Sequence, residues 1–146
     1  GTPDRILLKP GRLTQEEFEI MKLHAKHGRT IITRAAKDHQ GSNFLALGSQ
    51  IAGTHHEKWN GKGYPSGLAG TQIPLAGRIM AIADVYDALI SERCYKPPFS
   101  HDKAMAIILE EKGNSFDPVI VDAFCQIEDK ILEIARAFQD TEEYPA

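Results

Sequence analysis

The stretch that decides the fold is "IMAIADVYDALI", residues 79–90, in which ten of twelve residues are apolar and the exceptions are Asp84 and Asp87. A helix that is apolar around most of its circumference is typical of a buried position. A buried carboxylate needs a partner, because removing its charge from water is costly. That partner could be an arginine, a helix N-terminus or a metal ion, and this stretch alone leaves the choice open.

The segments on either side of this helix also predict helices. A capping-box sequence at residues 14–17 predicts the start of a first helix, with a break expected near Gly28. A second helix is predicted after Ser42. Pro74 is expected to open the helix that contains residues 79–90 and that continues to about Ser91.

The second half of the chain continues the helical pattern after a long loop at residues 60–74, which is rich in glycine and proline. Ser100 is a predicted N-cap of a fourth helix that ends near Gly113. Asp117, followed by proline, predicts a fifth helix reaching about Phe138. No alternating strand pattern occurs, so the sequence predicts an all-α bundle of about five helices.

Length and composition favour one domain over residues 1–146, with an opening loop at 1–13 and a frayed tail at 139–146. A net charge of -3 argues against a nucleic acid polymer or an anionic membrane as partner. No apolar stretch approaches the roughly 20 residues of a membrane span. Cys94 and Cys125 do not form a C-x-x-C pair, and a reducing, cytoplasmic setting is expected.

The stretch "HHEKWNGKGYP", residues 55–65, places two adjacent histidines before a glycine-rich loop. Neighbouring residues of a helix point about 100° apart, so His55 and His56 are expected to serve two ions, or one ion and a substrate. Two surface histidines at a frayed helix end are the simpler alternative. His24 and His27 are three residues apart on the first helix, and either could be a ligand or a core residue.

Two further pairs of residues could carry chemistry. Arg93 and Lys96 follow the apolar helix, where they could compensate the helix dipole or bind a phosphate group. His101 and Asp102 form a His-Asp dipeptide. We discount that dipeptide as a metal site, because Asp in the first turn of a capped helix is explained by the helix dipole.

Taken in order, "TPDRILLKPGRLTQEEFEIMKLHAKHG", "HHEKWNGKGYPSGLAGTQIP", "RIMAIADVYDALISERCYK" and "SFDPVIVDAF" resemble the HD-GYP family, a bacterial branch of the HD phosphohydrolases. The resemblance covers most of the chain. It implies an all-α fold and two or three divalent iron or manganese ions. It also implies hydrolysis of cyclic di-GMP to the linear dinucleotide or to GMP.

The resemblance also implies roles for individual residues. Four residues match the metal ligands of the family: His24, His55, His56 and Asp84. His27 matches no required ligand, and Asp87 is expected to support the site from behind the ligands or to be structural. Residues that match the substrate-binding positions are Arg93, Lys96, Gly63, Tyr64 and Pro65. The last three form a loop near the guanine base, with which Trp59 could also stack, and the loop could dock a diguanylate cyclase.

One departure limits what the resemblance implies. The His-Asp pair and the following lysine that give the family its name precede the segment matching residues 1–11, and they are not in this chain. Catalytic residues are therefore not assigned. We expect a larger parent protein with an upstream sensory or receiver domain, and little or no activity from these residues alone.

Two other interpretations remain open from sequence. The chain could be a non-catalytic module that binds a cyclic dinucleotide or docks a diguanylate cyclase through residues 63–65. It could also be a plain helical bundle, in which case Asp84 would pair with a cation other than a metal ion.

Overall fold

The computed structural model describes residues 2–38, 43–91 and 97–139. These residues contain seven α-helices and no β-strand. The helices are α1 (Asp4–Leu7), α2 (Gln15–Asp38), α3 (Asn43–Thr54), α4 (Leu75–Ile90), α5 (His101–Glu110), α6 (Pro118–Gln126) and α7 (Glu128–Gln139), with a 3-10 turn at Gly70–Gln72. The predicted all-α class is confirmed.

Local hydrogen bonds explain where three of these helices begin. The Thr14 hydroxyl accepts the Glu17 N–H at 3.2 Å, and the Glu17 carboxylate accepts the Thr14 N–H at 2.8 Å. This is the predicted capping box. The side chains of Ser100 and Asp117 accept backbone N–H groups in the first turns of α5 and α6, as predicted.

Three boundaries differ from the sequence prediction. The opening loop contains the short helix α1. No break occurs at Gly28, where α2 stays helical, since one glycine inside a helix costs only ~1 kcal/mol relative to alanine. The predicted fifth helix is two helices, since Ile127 leaves helical geometry at φ -111° and its N–H turns back to Cys125 and Phe124. Of the predicted frayed tail, residues 140–146 lie outside the described chain.

The hydrophobic core lies between α4, α5 and α6. Its buried members are Ala81, Ile82, Tyr86, Ala104, Met105, Ile108, Phe116 and Val121. Helix α3 packs against both α2 and α4, and so connects the long helix α2 to this core.

Helix α4 is buried on one face only, which corrects the expectation of a helix buried all round. Ile82 and Tyr86 face the core, whereas Asp84 and Asp87 are exposed to solvent together with the apolar Ile79. The two carboxylates therefore do not need the partner that complete burial would require.

An ion pair joins the start of α4 to the start of α6. Arg78 Nη1 donates to Asp117 Oδ2 at 2.6 Å, and Asp117 is almost fully buried. Arg78 Nε also donates to the Ile73 carbonyl at 2.9 Å. Because both charged groups are largely removed from water, each depends on the other.

None of the helices in the three described segments combines the length and the apolar character needed to cross a bilayer.

Candidate metal centre

Three imidazoles gather where α2 passes the C-terminal end of α3. His24 comes from α2, and His55 and His56 lie in the turn that follows Thr54, the last residue of α3. One ring nitrogen from each histidine lies within 4.8 Å of the other two. The Nε2 atoms of His24 and His56 are 3.1 Å apart.

Backbone carbonyls orient two of these rings. His24 Nδ1 lies 2.7 Å from the Met21 carbonyl oxygen, and His55 Nδ1 lies 2.9 Å from the Ile51 carbonyl oxygen. A carbonyl can only accept, so each Nδ1 carries a proton in this arrangement, and the lone pair of the neutral tautomer lies on Nε2. Ligating histidines in metal sites are held in the same way.

The third ring is held neutral by its surroundings. Burial, and then the neighbouring imidazoles of His55 and His24, lowers the pKa of His56 from 6.5 to about 4, with Asp84 acting in the opposite direction. Near neutral pH the ring therefore carries no charge and has a lone pair to offer. A neutral imidazole is the form that binds metal ions.

The arrangement of His55 and His56 differs from the sequence expectation. Their ring centroids are only 4.0 Å apart, and both lie within 6 Å of the His24 ring centroid. The angle of about 100° between neighbours applies inside a helix. Because α3 ends at Thr54, both histidines escape this constraint and face the same cluster.

Asp84 does not belong to this group of close donor atoms as far as the described residues extend. Its carboxylate nevertheless acts on the cluster, since it raises the pKa values of both His56 and Tyr64. Its assignment as a ligand stays a prediction, as do those of the three histidines. Arg93 and Lys96, the predicted phosphate contacts, lie outside the described residues.

Two residues that the sequence left open or discounted lie elsewhere. His27 is exposed on α2 and takes no part in the cluster. His101 Nδ1 lies 2.8 Å from the Tyr86 hydroxyl, and its Nε2 lies 3.2 Å from Glu128 Oε1. His101 thus links α4, α5 and α7, which agrees with a structural role.

The loop after the histidines folds back over them. The Tyr64 ring lies against the His56 ring with centroids 4.8 Å apart, and its backbone N–H donates to the His56 carbonyl at 3.1 Å. Phe18 of α2 lies edge-on to the Tyr64 ring, with ring centroids 6.0 Å apart. Burial, and then Asp84, raises the pKa of the Tyr64 hydroxyl.

Gly63 is where this loop comes closest to the turn that carries the histidines. A Cβ built there would lie 2.5 Å from the Glu57 Cα and closer still to the Lys58 backbone nitrogen. Any side chain at Gly63 would push the loop away. The glycine at this position is therefore needed for close backbone approach.

Glu57 is the residue of this region to which the sequence gave no role. Its side chain is only 3% exposed, and its two carboxylate oxygens accept the Ser66 N–H at 2.7 Å and the Leu68 N–H at 3.0 Å. A carboxylate directly before a glycine-rich loop was the available signal, since such loops offer unpaired N–H groups.

The sequence profile described as "HD domain" matches residues 1–120 of the chain. The chain belongs to the HD domain family. This match includes the elements that carry the histidine cluster and the loop over it, from α2 to α4.

Curated relatives place this HD domain more closely. It is 56% identical over 140 residues to a cyclic di-GMP phosphodiesterase of Vibrio cholerae and 46% identical over 140 residues to one of Thermotoga maritima. It is also 39% identical over 138 residues to the 3'3'-cGAMP-specific phosphodiesterase 2 of Vibrio cholerae. These alignments cover 96%, 96% and 94% of the chain, yet only 28%, 37% and 26% of the relatives. The HD-GYP resemblance is confirmed.

An HD domain implies a divalent metal ion, and the cluster fits one. Two Nε2 lone pairs are fixed by Nδ1–H groups bonded to carbonyls, and the third imidazole is held neutral. The 3.1 Å between the Nε2 atoms of His24 and His56 is close to the ~3 Å expected between neighbouring ligands that each lie ~2.1 Å from an ion. All-imidazole donors with a nearby carboxylate suit a first-row transition metal.

Proposed function

We propose that the protein is a metal-dependent phosphodiesterase that hydrolyses cyclic di-GMP in bacterial second-messenger signalling. The observation that carries the proposal is the cluster of three imidazoles, which bring one ring nitrogen each to within 4.8 Å of the other two. Relatives named as cyclic di-GMP phosphodiesterases support the substrate class.

In this proposal, each residue of the site has a distinct task. His24, His55 and His56 hold a divalent ion, and Asp84 adds negative charge beside them. A bound divalent ion would supply Lewis acidity and a water of lowered pKa for attack on the phosphodiester. Iron or manganese is our choice of metal, with two or three ions in the complete site.

Substrate recognition is assigned to the loop and to the basic pair after α4. Arg93 and Lys96 would neutralise phosphate charge as it develops. The loop at Gly63, Tyr64 and Pro65 would face a guanine base. The same loop would dock a diguanylate cyclase. We place the protein in the cytoplasm, with a sensory or receiver domain upstream of this HD domain.

Two related substrates are candidates, because some relatives are named for cyclic di-GMP and others for 3'3'-cGAMP. We favour cyclic di-GMP, since relatives named for it reach 56% identity against 39% for the one quoted for cGAMP. Both molecules present the same paired phosphodiesters and differ in one base. Turnover of each at matched concentration would decide between them.

The test is a matched pair of histidine variants on the same helix, in the full-length protein with Mn²⁺ or Fe²⁺. His24→Ala removes a proposed ligand, and we expect turnover of cyclic di-GMP to fall at least 100-fold. His27→Ala, three residues further along and exposed, should retain activity near that of the unmodified protein. Equal activities of the two variants would refute the proposal. Tight binding of cyclic di-GMP without turnover by the unmodified protein would favour the non-catalytic module instead.

For the 146 residues by themselves we predict little turnover. His24, His55, His56 and Asp84 supply four donors, whereas each octahedral ion takes about six. Hydrolysis by this chain alone faster than about 1 per second, an ordinary enzymatic rate, would contradict the prediction.

A further inference from the structure

Glu57 buries its carboxyl group and has no ion-pair partner in the part of the chain that the structure describes. Its side chain is 3% exposed. Burying a carboxylate is expensive unless it is well hydrogen-bonded. Both oxygens accept a backbone N–H of the same loop, from Ser66 and Leu68. The bonding pattern therefore calls for two acceptors, which a carboxylate provides and an amide does not.

These two bonds close the chain into a loop over the histidine turn. Glu57 belongs to that turn, since its N–H donates to the Thr54 carbonyl at 3.0 Å. Between Glu57 and Ser66, Gly63 approaches the backbone of Glu57 too closely for a side chain to fit. The Tyr64 N–H donates to the His56 carbonyl. The result is that the Tyr64 ring rests against the His56 ring at 4.8 Å.

We propose that Glu57 is a positioning residue, which latches loop 58–68 so that the Tyr64 ring holds the His56 imidazole ready for a metal ion. This inference rests on the proposed function of the histidine cluster. Glu57 itself does not touch the ion or the substrate in this proposal. It acts through the loop.

Release of the latch should weaken metal binding more than it weakens the fold. Without the Tyr64 ring beside it, the His56 ring becomes more exposed to solvent and freer to rotate. That rotational freedom must be lost again when an ion binds. Changes to groups that orient metal ligands typically weaken affinity about 10- to 100-fold. The helices and the core between α4, α5 and α6 do not depend on these two bonds.

The first experiment replaces Glu57 with glutamine in the full-length protein and uses Glu110→Gln as its control. Glu57→Gln keeps the size of the side chain but turns an NH2 group toward one of the two backbone N–H groups. Glu110→Gln makes the same change of charge at an exposed position on α5. Two quantities are measured: hydrogen-deuterium exchange of the peptide covering residues 62–69, and Mn²⁺ affinity from the electron paramagnetic resonance signal of the free ion.

For Glu57→Gln we expect roughly tenfold faster exchange at the amide that loses its acceptor, from the loss of a charge-assisted hydrogen bond. Mn²⁺ affinity should fall about tenfold or more, with the far-ultraviolet circular dichroism unchanged. The control variant should match the unmodified protein in both measurements. Faster exchange with unchanged Mn²⁺ affinity would overturn the inference, and so would unchanged exchange.

A second pair of variants tests whether the Tyr64 ring supports metal binding by His56, without any change of charge. This test remains valid even if Glu57→Gln does not fold. Tyr64→Ala removes the ring from His56, whereas Tyr64→Phe keeps it. The inference requires Tyr64→Ala to weaken Mn²⁺ binding about tenfold and Tyr64→Phe to retain the affinity. Equal affinities of the two variants would overturn it.

The two proposals fail in different ways. If the unmodified protein takes up no Mn²⁺ and His24→Ala changes nothing, the proposed function fails. If the unmodified protein binds Mn²⁺ and His24→Ala abolishes the binding, a null result for Glu57 counts against the latch alone.

Discussion

Replacing Gly77 with alanine should strain the contact between α4 and the end of α3, just before the histidine turn. A Cβ built on Gly77 would lie 3.0 Å from the Thr54 Cβ and closer still to the Thr54 hydroxyl. Thr54 cannot easily move aside, since it is 5% exposed and its hydroxyl donates to the Gln50 carbonyl at 2.7 Å. One of the two helices must therefore shift.

Two opposing effects set the size of the change in the free energy of unfolding. Alanine has a higher helix propensity than glycine, which favours the variant by up to ~1 kcal/mol. Overpacking a well-filled interface costs ~1–3 kcal/mol. Because Thr54 is buried and hydrogen-bonded, we expect the cost of overpacking to exceed the gain in helix propensity. The free energy of unfolding should therefore fall by about 1–2 kcal/mol.

Urea denaturation of four variants, Gly77→Ala, Thr54→Ala, their double variant and Gly48→Ala, measures this balance. Gly48→Ala is the control, since a Cβ there would meet only Ile32 at an ordinary 3.9 Å, and its helix propensity should raise stability. The double variant Gly77→Ala with Thr54→Ala removes the clashing hydroxyl and should recover about 1 kcal/mol relative to the sum of the single changes.

The reasoning would be refuted by either of two results. One is a Gly77→Ala variant as stable as Gly48→Ala, which would mean that the interface has room. The other is strict additivity with Thr54→Ala, which would place the strain somewhere other than this contact.

Three other predictions concern the loop, the core and pH. Gly63→Ala should cost at least ~2 kcal/mol more than Gly70→Ala in urea denaturation, since a Cβ at Gly70 meets nothing within 4 Å and only its φ of +55° opposes the change. Asp117→Asn should cost ~3 kcal/mol, because it leaves the Arg78 guanidinium without its anion while an amide can still cap α6; a loss below ~0.5 kcal/mol, as for a surface pair, would contradict this. In metal-free protein, the lowered pKa of His56 means that the unfolded chain binds a proton more readily. Stability should therefore fall as pH decreases from 6.5 toward about 4, and a His56→Phe variant should lose that part of the pH dependence.

Much of the fold could be predicted because its signals are local. The capping box at Thr14 and the caps at Ser100 and Asp117 each involve groups two or three residues apart. Such bonds need only the neighbouring sequence, so these helix starts were confirmed. The family was equally accessible, since four segments in order identify it without any knowledge of contacts.

The features that the sequence misjudged depend on residues far apart in the chain. Gly28 does not break α2, whose packing against α3 offsets the ~1 kcal/mol helix-propensity cost of one glycine. The composition of α4 predicted burial on every side, yet the surrounding helices cover only the face that carries Ile82 and Tyr86. Composition reports what a helix could bury, whereas the number of packing partners decides what it does bury.

The candidate metal centre divides in the same way. The sequence by itself predicted which residues would form the site, because His24, His55 and His56 match positions of the family motif that the chain resembles. Only the tertiary structure decided that the three imidazoles lie together, and that the Tyr64 ring packs against the His56 ring. The physical reason is that α3 ends at Thr54, directly before the pair, which frees both rings from helical geometry and lets His56 contact His24 of α2.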